Sequence, residues 1–148
     1  MSADLFLDVA PEAANDAEIL RVLVVDDNEA SARTLGWAIE MDGYEVEVCL
    51  DGRNAVDRAR DFHPHVVLLD LGMPGMNGYE VCQALRGDTS LGQVKIIAQT
   101  GWGDAAAKRK TADSGFDLHL VKPVNMTVLS DMLALLAHTA GATRRQAA

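Results

Sequence analysis

Five short apolar runs, each followed by a longer amphipathic stretch, set the strongest limit on how this chain folds. RVLVVD (21–26), EVEVCL (45–50), HVVLLD (65–70), VKIIAQ (94–99) and DLHLV (117–121) are rich in Val, Ile and Leu and end against Gly, Pro, Asp or Asn, the pattern of strands. The first, third and fourth are nearly continuous apolar runs, as central parallel strands covered on both faces require, whereas EVEVCL alternates like an edge strand. Between them, residues 28–42 place Leu35, Ile39 and Trp37 or Ala38 near one helical face, and Asn77 with Glu80 opens GYEVCQALR as a capping box. Asp51 and Asp104 are further cap candidates, and Val124, Val128, Met132 and Leu135 or Leu136 space out a last helix. Repeated strand–helix alternation implies parallel strands joined by right-handed crossovers, with helices on both faces of one sheet.

Composition narrows the function. The net charge of −9 over 148 residues argues against a nucleic-acid surface. Residues 1–20 hold five acids and no Lys or Arg, so the remainder carries only −4. The acidic residues 1–18 are expected to be a disordered tail, residues 19–140 one domain, and 141–148 a flexible end. Cys49 and Cys82 lie among apolar neighbours and read as small core residues rather than a disulfide framework. With no basic-plus-apolar leader and no apolar run near the ~20 residues that span a bilayer, the expectation is a cytoplasmic protein without membrane contact.

In open parallel sheets, ligands gather at the carboxyl ends of the strands. Here those ends carry Asp26 and Asp27, Asp70, Thr100, and Lys122-Pro123. Singly, each reads as a cap, a turn or a solvated charge. Together they put three carboxylates, a hydroxyl and an ammonium at one sheet edge. Carboxylates ~4 Å apart repel by roughly 4 kcal/mol at an effective dielectric near 20, so the cluster calls for a cation. Oxygen donors without His or Cys select a hard ion such as Mg2+. Asp70, ionised at neutral pH, can attack phosphorus without a general base. Lys122 would stabilise charge on the transferring group, and Thr100 would donate to a phosphoryl oxygen.

The segments VVDDNEASARTL, VVLLDLGMPGMNGYE, IIAQTGWG and GFDLHLVKPV together resemble the receiver domain of two-component response regulators, over roughly residues 21–140. The resemblance implies a CheY-like, flavodoxin-like doubly wound (βα)5 fold with its five parallel strands in the order 2-1-3-4-5. It implies Asp70 as phosphoacceptor, and Asp27, Asp70 and the Gly72 backbone carbonyl as Mg2+ ligands, with Asp26 acting through a metal-bound water. Thr100 falls at the switch hydroxyl, Lys122 at the phosphoryl-contacting lysine, and the bond to Pro123 at a peptide that is typically cis. Where the family usually has a switch Tyr or Phe, this chain has His119, either a polar switch ring or a half-exposed strand residue. Trp102 either screens the acyl phosphate or packs on the surface. Lys108, Arg109 and Lys110 form either a basic contact patch or a solvated helix face.

The expected function is a stand-alone phosphoprotein receiver. A sensor histidine kinase or histidine phosphotransfer protein supplies the phosphoryl group, and a changed protein-binding surface is the output. A phosphorelay intermediate or phosphate sink is the alternative, toward which His119 in place of the usual Tyr or Phe and the resemblance of TGWG and HLVKP to hybrid-kinase receivers point. A turnover enzyme is not expected: haloacid-dehalogenase-like phosphatases carry a second acid two residues after the nucleophile, and here that residue is Gly72. A flavin or nucleotide binder would need a Gly-rich loop after the first strand, where VVDDNEAS is acidic instead.

Overall fold

A computed structural model describes residues 18–73, 77–101, 103 and 105–146. Five parallel strands, β1 (Arg21–Val25), β2 (Glu45–Cys49), β3 (Val66–Asp70), β4 (Lys95–Thr100) and β5 (Leu118–Val121), form one sheet in the order β2-β1-β3-β4-β5. The five α-helices are α1 (Glu29–Met41), α2 (Ala55–Phe62), α3 (Gly78–Arg86), α4 (Ala105–Asp113) and α5 (Met126–Ala140). Fold class and strand order are those the sequence led us to expect. β3 is buried at every residue, while edge strand β2 is half-buried along most of its length.

Alternation along the strands sorts the core into two layers. Leu23, Val25, Val67, Leu69, Ile96 and Ala98 face α2 and α3; Val22, Val24, Val66, Leu68, Ile97 and Leu120 face α1 and α5. Two helix faces differ from the sequence reading. In α1 the buried residues are Ala32, Leu35, Gly36 and Ile39, and Trp37 is 69% exposed. In α5 they are Leu129, Leu133, Leu136 and Ala137; Val124 and Met132 pack against the same layer as expected, but Val128 and Leu135 are exposed. MTVLSDMLALLAHTA is apolar on nearly every side, so its spacing admits several stripes and the sheet selects one.

Helix starts follow local chemistry. Asn28, Asn77 and Asn125 sit in extended conformation, and each side chain accepts an N–H of the first turn. Asp51 caps a short 3-10 turn (Gly52–Asn54) that leads into α2; Asp104 lies outside the described residues. Asn125 accepts from both Thr127 and Val128. Its replacement by Ala is expected to lower the unfolding free energy by about 1 kcal/mol, read as a lower urea midpoint at unchanged slope.

The acidic tail, up to Ala17, lies outside the described residues, but the chain does not leave the body at Gly141. The Leu20 N–H donates to the Thr143 carbonyl at 2.9 Å and the Thr143 N–H to the Glu18 carbonyl at 2.8 Å, a parallel bridge centred on Ile19 and Thr143. Arg144 then pairs with Asp42 and Arg145 with Glu45. No helix among the described residues is long and apolar enough to cross a membrane.

Candidate functional site

The carboxyl end of the sheet brings the predicted polar groups together. β1 runs into Asp26, whose N–H extends the ladder to the Cys49 carbonyl at 3.1 Å, and β3 ends on Asp70. Asp26 is 1% exposed and Asp70 3%, while Asp27 is exposed. One oxygen from each of Asp26, Asp27 and Asp70 lies within 4.8 Å of the others. Lys122, just past β5, reaches across to place Nζ 2.8 Å from Asp70 Oδ1. The Gly72 N–H donates to the same oxygen at 2.8 Å. Thr100 is buried at the end of β4, and its carbonyl accepts from the Lys122 N–H at 2.8 Å. A cleft of about 570 Å³ lies at the opposite, amino-terminal end of the strands, around His63, His65 and Lys95, away from these groups.

Asp26 bears most of the electrostatic cost. Burial raises its carboxyl pKa from the ordinary 3.8 to about 6, and the neighbouring Asp70 charge adds to the rise; the Asn28 N–H on Oδ1 and the Lys122 ammonium oppose it. Its Oδ2 is buried and has no hydrogen-bond donor. Protonated, Asp26 can donate to Asp70; ionised, it has an oxygen with nothing to bind. Three converging carboxylates, one with an orphaned buried oxygen and none accompanied by His or Cys, make a donor set that fits a hard divalent cation.

Small residues shape the surroundings. A Cβ on Gly72 would lie 3.4 Å from Asp70 Oδ1, and one on Gly78 would lie 2.6 Å from Leu71 Cδ2 and 3.2 Å from the Asp70 carbonyl. The first turn of α3 therefore sits directly on the backbone that carries Asp70. Pro74–Met76 and Trp102 lie outside the described residues. The Lys122–Pro123 peptide is cis.

His119 lies in β5, half-buried, with Nδ1 2.9 Å from Thr111 Oγ1 on α4. The Thr111 hydroxyl also lies 2.9 Å from the Lys108 carbonyl, so it links the His119 ring to the backbone of α4. Lys108, Arg109 and Lys110 are exposed on α4, and Lys110 Nζ sits 4.5 Å over the Tyr79 ring.

Two residues near the site escaped the sequence reading. Asn28, rather than Asp26 or Asp27, caps α1 while its N–H binds Asp26. Gln99 is 2% exposed in β4 and its Nε2 has no partner. The signal for Gln99 was present: it is a lone amide in the otherwise apolar run IIAQ.

Comparison with known proteins agrees with this arrangement. Residues 22–134 match the model of the response regulator receiver domain. The DNA-binding response regulator MtrA of Mycobacterium tuberculosis is 38% identical over 103 residues, 70% of this chain and 44% of that protein. The DNA-binding dual master transcriptional regulator RpaA of Synechocystis sp. is 33% identical over 120 residues, 80% of this chain and 50% of that protein. The chain thus spans about half the length of these curated relatives. Among solved structures, the chemotaxis protein CheY4 of Vibrio cholerae aligns with a TM-score of 0.74 at 30% identity, covering 80% of this chain and 98% of that one. With its strand order, its clustered acids and a family match over most of its length, the chain belongs to the receiver-domain family of two-component response regulators.

Proposed function

We propose that this domain accepts a phosphoryl group on Asp70 from a phosphohistidine of a sensor kinase or phosphotransfer protein, in a Mg2+-dependent step. The reading rests on Asp70 itself: a buried carboxylate at a strand end, 2.8 Å from Lys122 Nζ and within 4.8 Å of two further carboxylates. Asp26, Asp27, Asp70 and the Gly72 carbonyl would hold the ion. Bound there, Mg2+ supplies positive charge that offsets the carboxylates and the oxygens of an arriving phosphoryl group.

The chain's own residues do the rest. The Gly72 N–H and Lys122 hold Asp70 by Oδ1, which fixes the carboxylate for attack on phosphorus as the bond to the donor imidazole breaks. Lys122 can pass its hydrogen bond to a phosphoryl oxygen, and Thr100, at the neighbouring strand end, can follow it. That movement would bias the segment around residues 101–124 and change a surface a protein partner reads. Gly72 offers no general acid, which supports a phosphoacceptor rather than a turnover hydrolase.

A relay or phosphate sink is a second reading, favoured by His119: an imidazole hydrogen-bonded to Thr111 stands where a Tyr or Phe switch ring is usual. Incubation with Mg2+ and acetyl phosphate, followed by intact mass, tests the main reading. A gain of one phosphoryl group, mapped to the peptide containing Asp70 and abolished by a chelator, is expected. No gain from acetyl phosphate or from any phosphohistidine donor rejects it. An adduct that decays within seconds would favour the sink, and one that persists for minutes an output regulator.

A further inference from the structure

The Lys122–Asp70 contact joins β5 to β3, so it passes over β4, which lies between them. Register identifies the residue under that crossing. Asp70 pairs with Gln99, and Gln99 with Leu120. Laterally paired residues of a sheet present their side chains to the same face. Leu68, Ile97 and Leu120 all face α1 and α5, so by alternation Asp70 and Gln99 share that face one strand apart, ~4.8 Å between backbones. The Gln99 carbonyl also accepts the Leu71 N–H at 2.9 Å, tying β4 to the chain just past Asp70.

Gln99 is thus a fully buried amide beside the acceptor, and its Nε2 has no partner. A buried donor left unpaired is unfavourable and rare in a folded protein. Its neighbour Asp70 Oδ1 already receives two donors, the Gly72 N–H and Lys122 Nζ. In the resting state Asp70 Oδ1 is therefore already supplied with donors, and the Gln99 Nε2 is left without an acceptor. A phosphoryl group changes this: it brings new oxygens for Lys122 and leaves a lone pair on the Asp70 carboxyl group uncovered.

We propose that Gln99 is a positioning residue for the phosphorylated state, its spare N–H taking the Asp70 carboxyl oxygen that Lys122 gives up when it turns to the phosphoryl group. This rests on Asp70 being the acceptor. The resting protein carries the unpaired amide, and phosphorylation relieves it, so Gln99 shifts the balance toward the phosphorylated form without itself being a metal ligand.

The test uses the full chain and two substitutions, Gln99→Met and Gln99→Leu, which keep bulk and remove the donor. Beryllofluoride with Mg2+ serves as the phosphoryl mimic, and acetyl phosphate as the donor. In either folded variant, beryllofluoride affinity is expected to fall about fivefold and the labelled fraction to fall with it. Affinity for Mg2+ alone should stay within about twofold, since no metal ligand is altered, and the resting protein should melt no lower than the parent. A merely structural Gln99 would move the melting temperature and leave beryllofluoride affinity unchanged; that outcome, in both variants, overturns the proposal. A parent protein that takes no label refutes the reading of Asp70 itself, a failure visible without any variant.

Discussion

Asp70→Asn is expected to fold, to melt close to the parent, and to take up no phosphoryl group from acetyl phosphate or a phosphohistidine donor. An amide oxygen carries no full negative charge, and the amide nitrogen's lone pair is delocalised into the carbonyl, so the nucleophile is gone. Stability should change little because two effects oppose each other. Three carboxylate oxygens within 4.8 Å of one another repel, by about 3 kcal/mol per pair at an effective dielectric near 20, and the substitution removes one charge. Against that, Lys122 loses an anionic partner 2.8 Å away, although an amide oxygen still accepts from it and from the Gly72 N–H. Intact mass and thermal melting on one sample read both halves. An Asp70→Asn variant labelled to the parent's stoichiometry would move the acceptor elsewhere.

Asp26→Asn should show the opposite profile, a gain of stability with a loss of metal binding. Because burial lifts the Asp26 carboxyl to about 6, the metal-free folded protein holds a proton there that the unfolded chain, near 3.8, has released. Between about pH 4 and 6 the native state therefore binds more protons, so stability falls as pH rises through that window and levels off above it. The gap corresponds to about 3 kcal/mol. The substituted amide would keep an oxygen for the Asn28 N–H and carry no charge to desolvate. The variant should be more stable near neutral pH by up to that amount, about 3 kcal/mol, and should lose the slope. Stabilisation by added Mg2+ should shrink with it, an affinity loss of about tenfold or more read from the shift in melting temperature. Chemical denaturation on either side of the window, at about pH 4.5 and 7.5, with and without Mg2+, checks all three. Equal pH slopes and equal Mg2+ shifts in the two proteins would remove Asp26 from this role.

Both predictions concern residues that stood out in the bare sequence, which marks what was legible there. A carboxylate closing VVLLD, two more closing VLVV, and Lys-Pro after LHLV are local signals, because strand period and strand ends are set within a few residues. Asn77 could be read as a helix start for the same reason, since a cap needs only its own first turn. Where a decision belonged to distant chain, the reading slipped. Trp37 was a candidate for the buried face of α1 and is exposed, and in α5 Val128 is exposed where Leu129 and Leu133 are buried.

Local pattern alone therefore specified the alternation of five strands and five helices, and with it a parallel sheet whose carboxyl edge collects Asp26, Asp27, Asp70, Thr100 and Lys122. It took the folded chain to bury Asp26 with an oxygen left over, to carry Lys122 over β4 to Asp70, and to set Gln99 in the position beneath. Folding also joined Ile19 to Thr143, a bridge outside the five named strands. The physical reason is the same in each case. Which side chains meet across a sheet depends on strand order and register, and these come from the whole core closing at once rather than from any one segment.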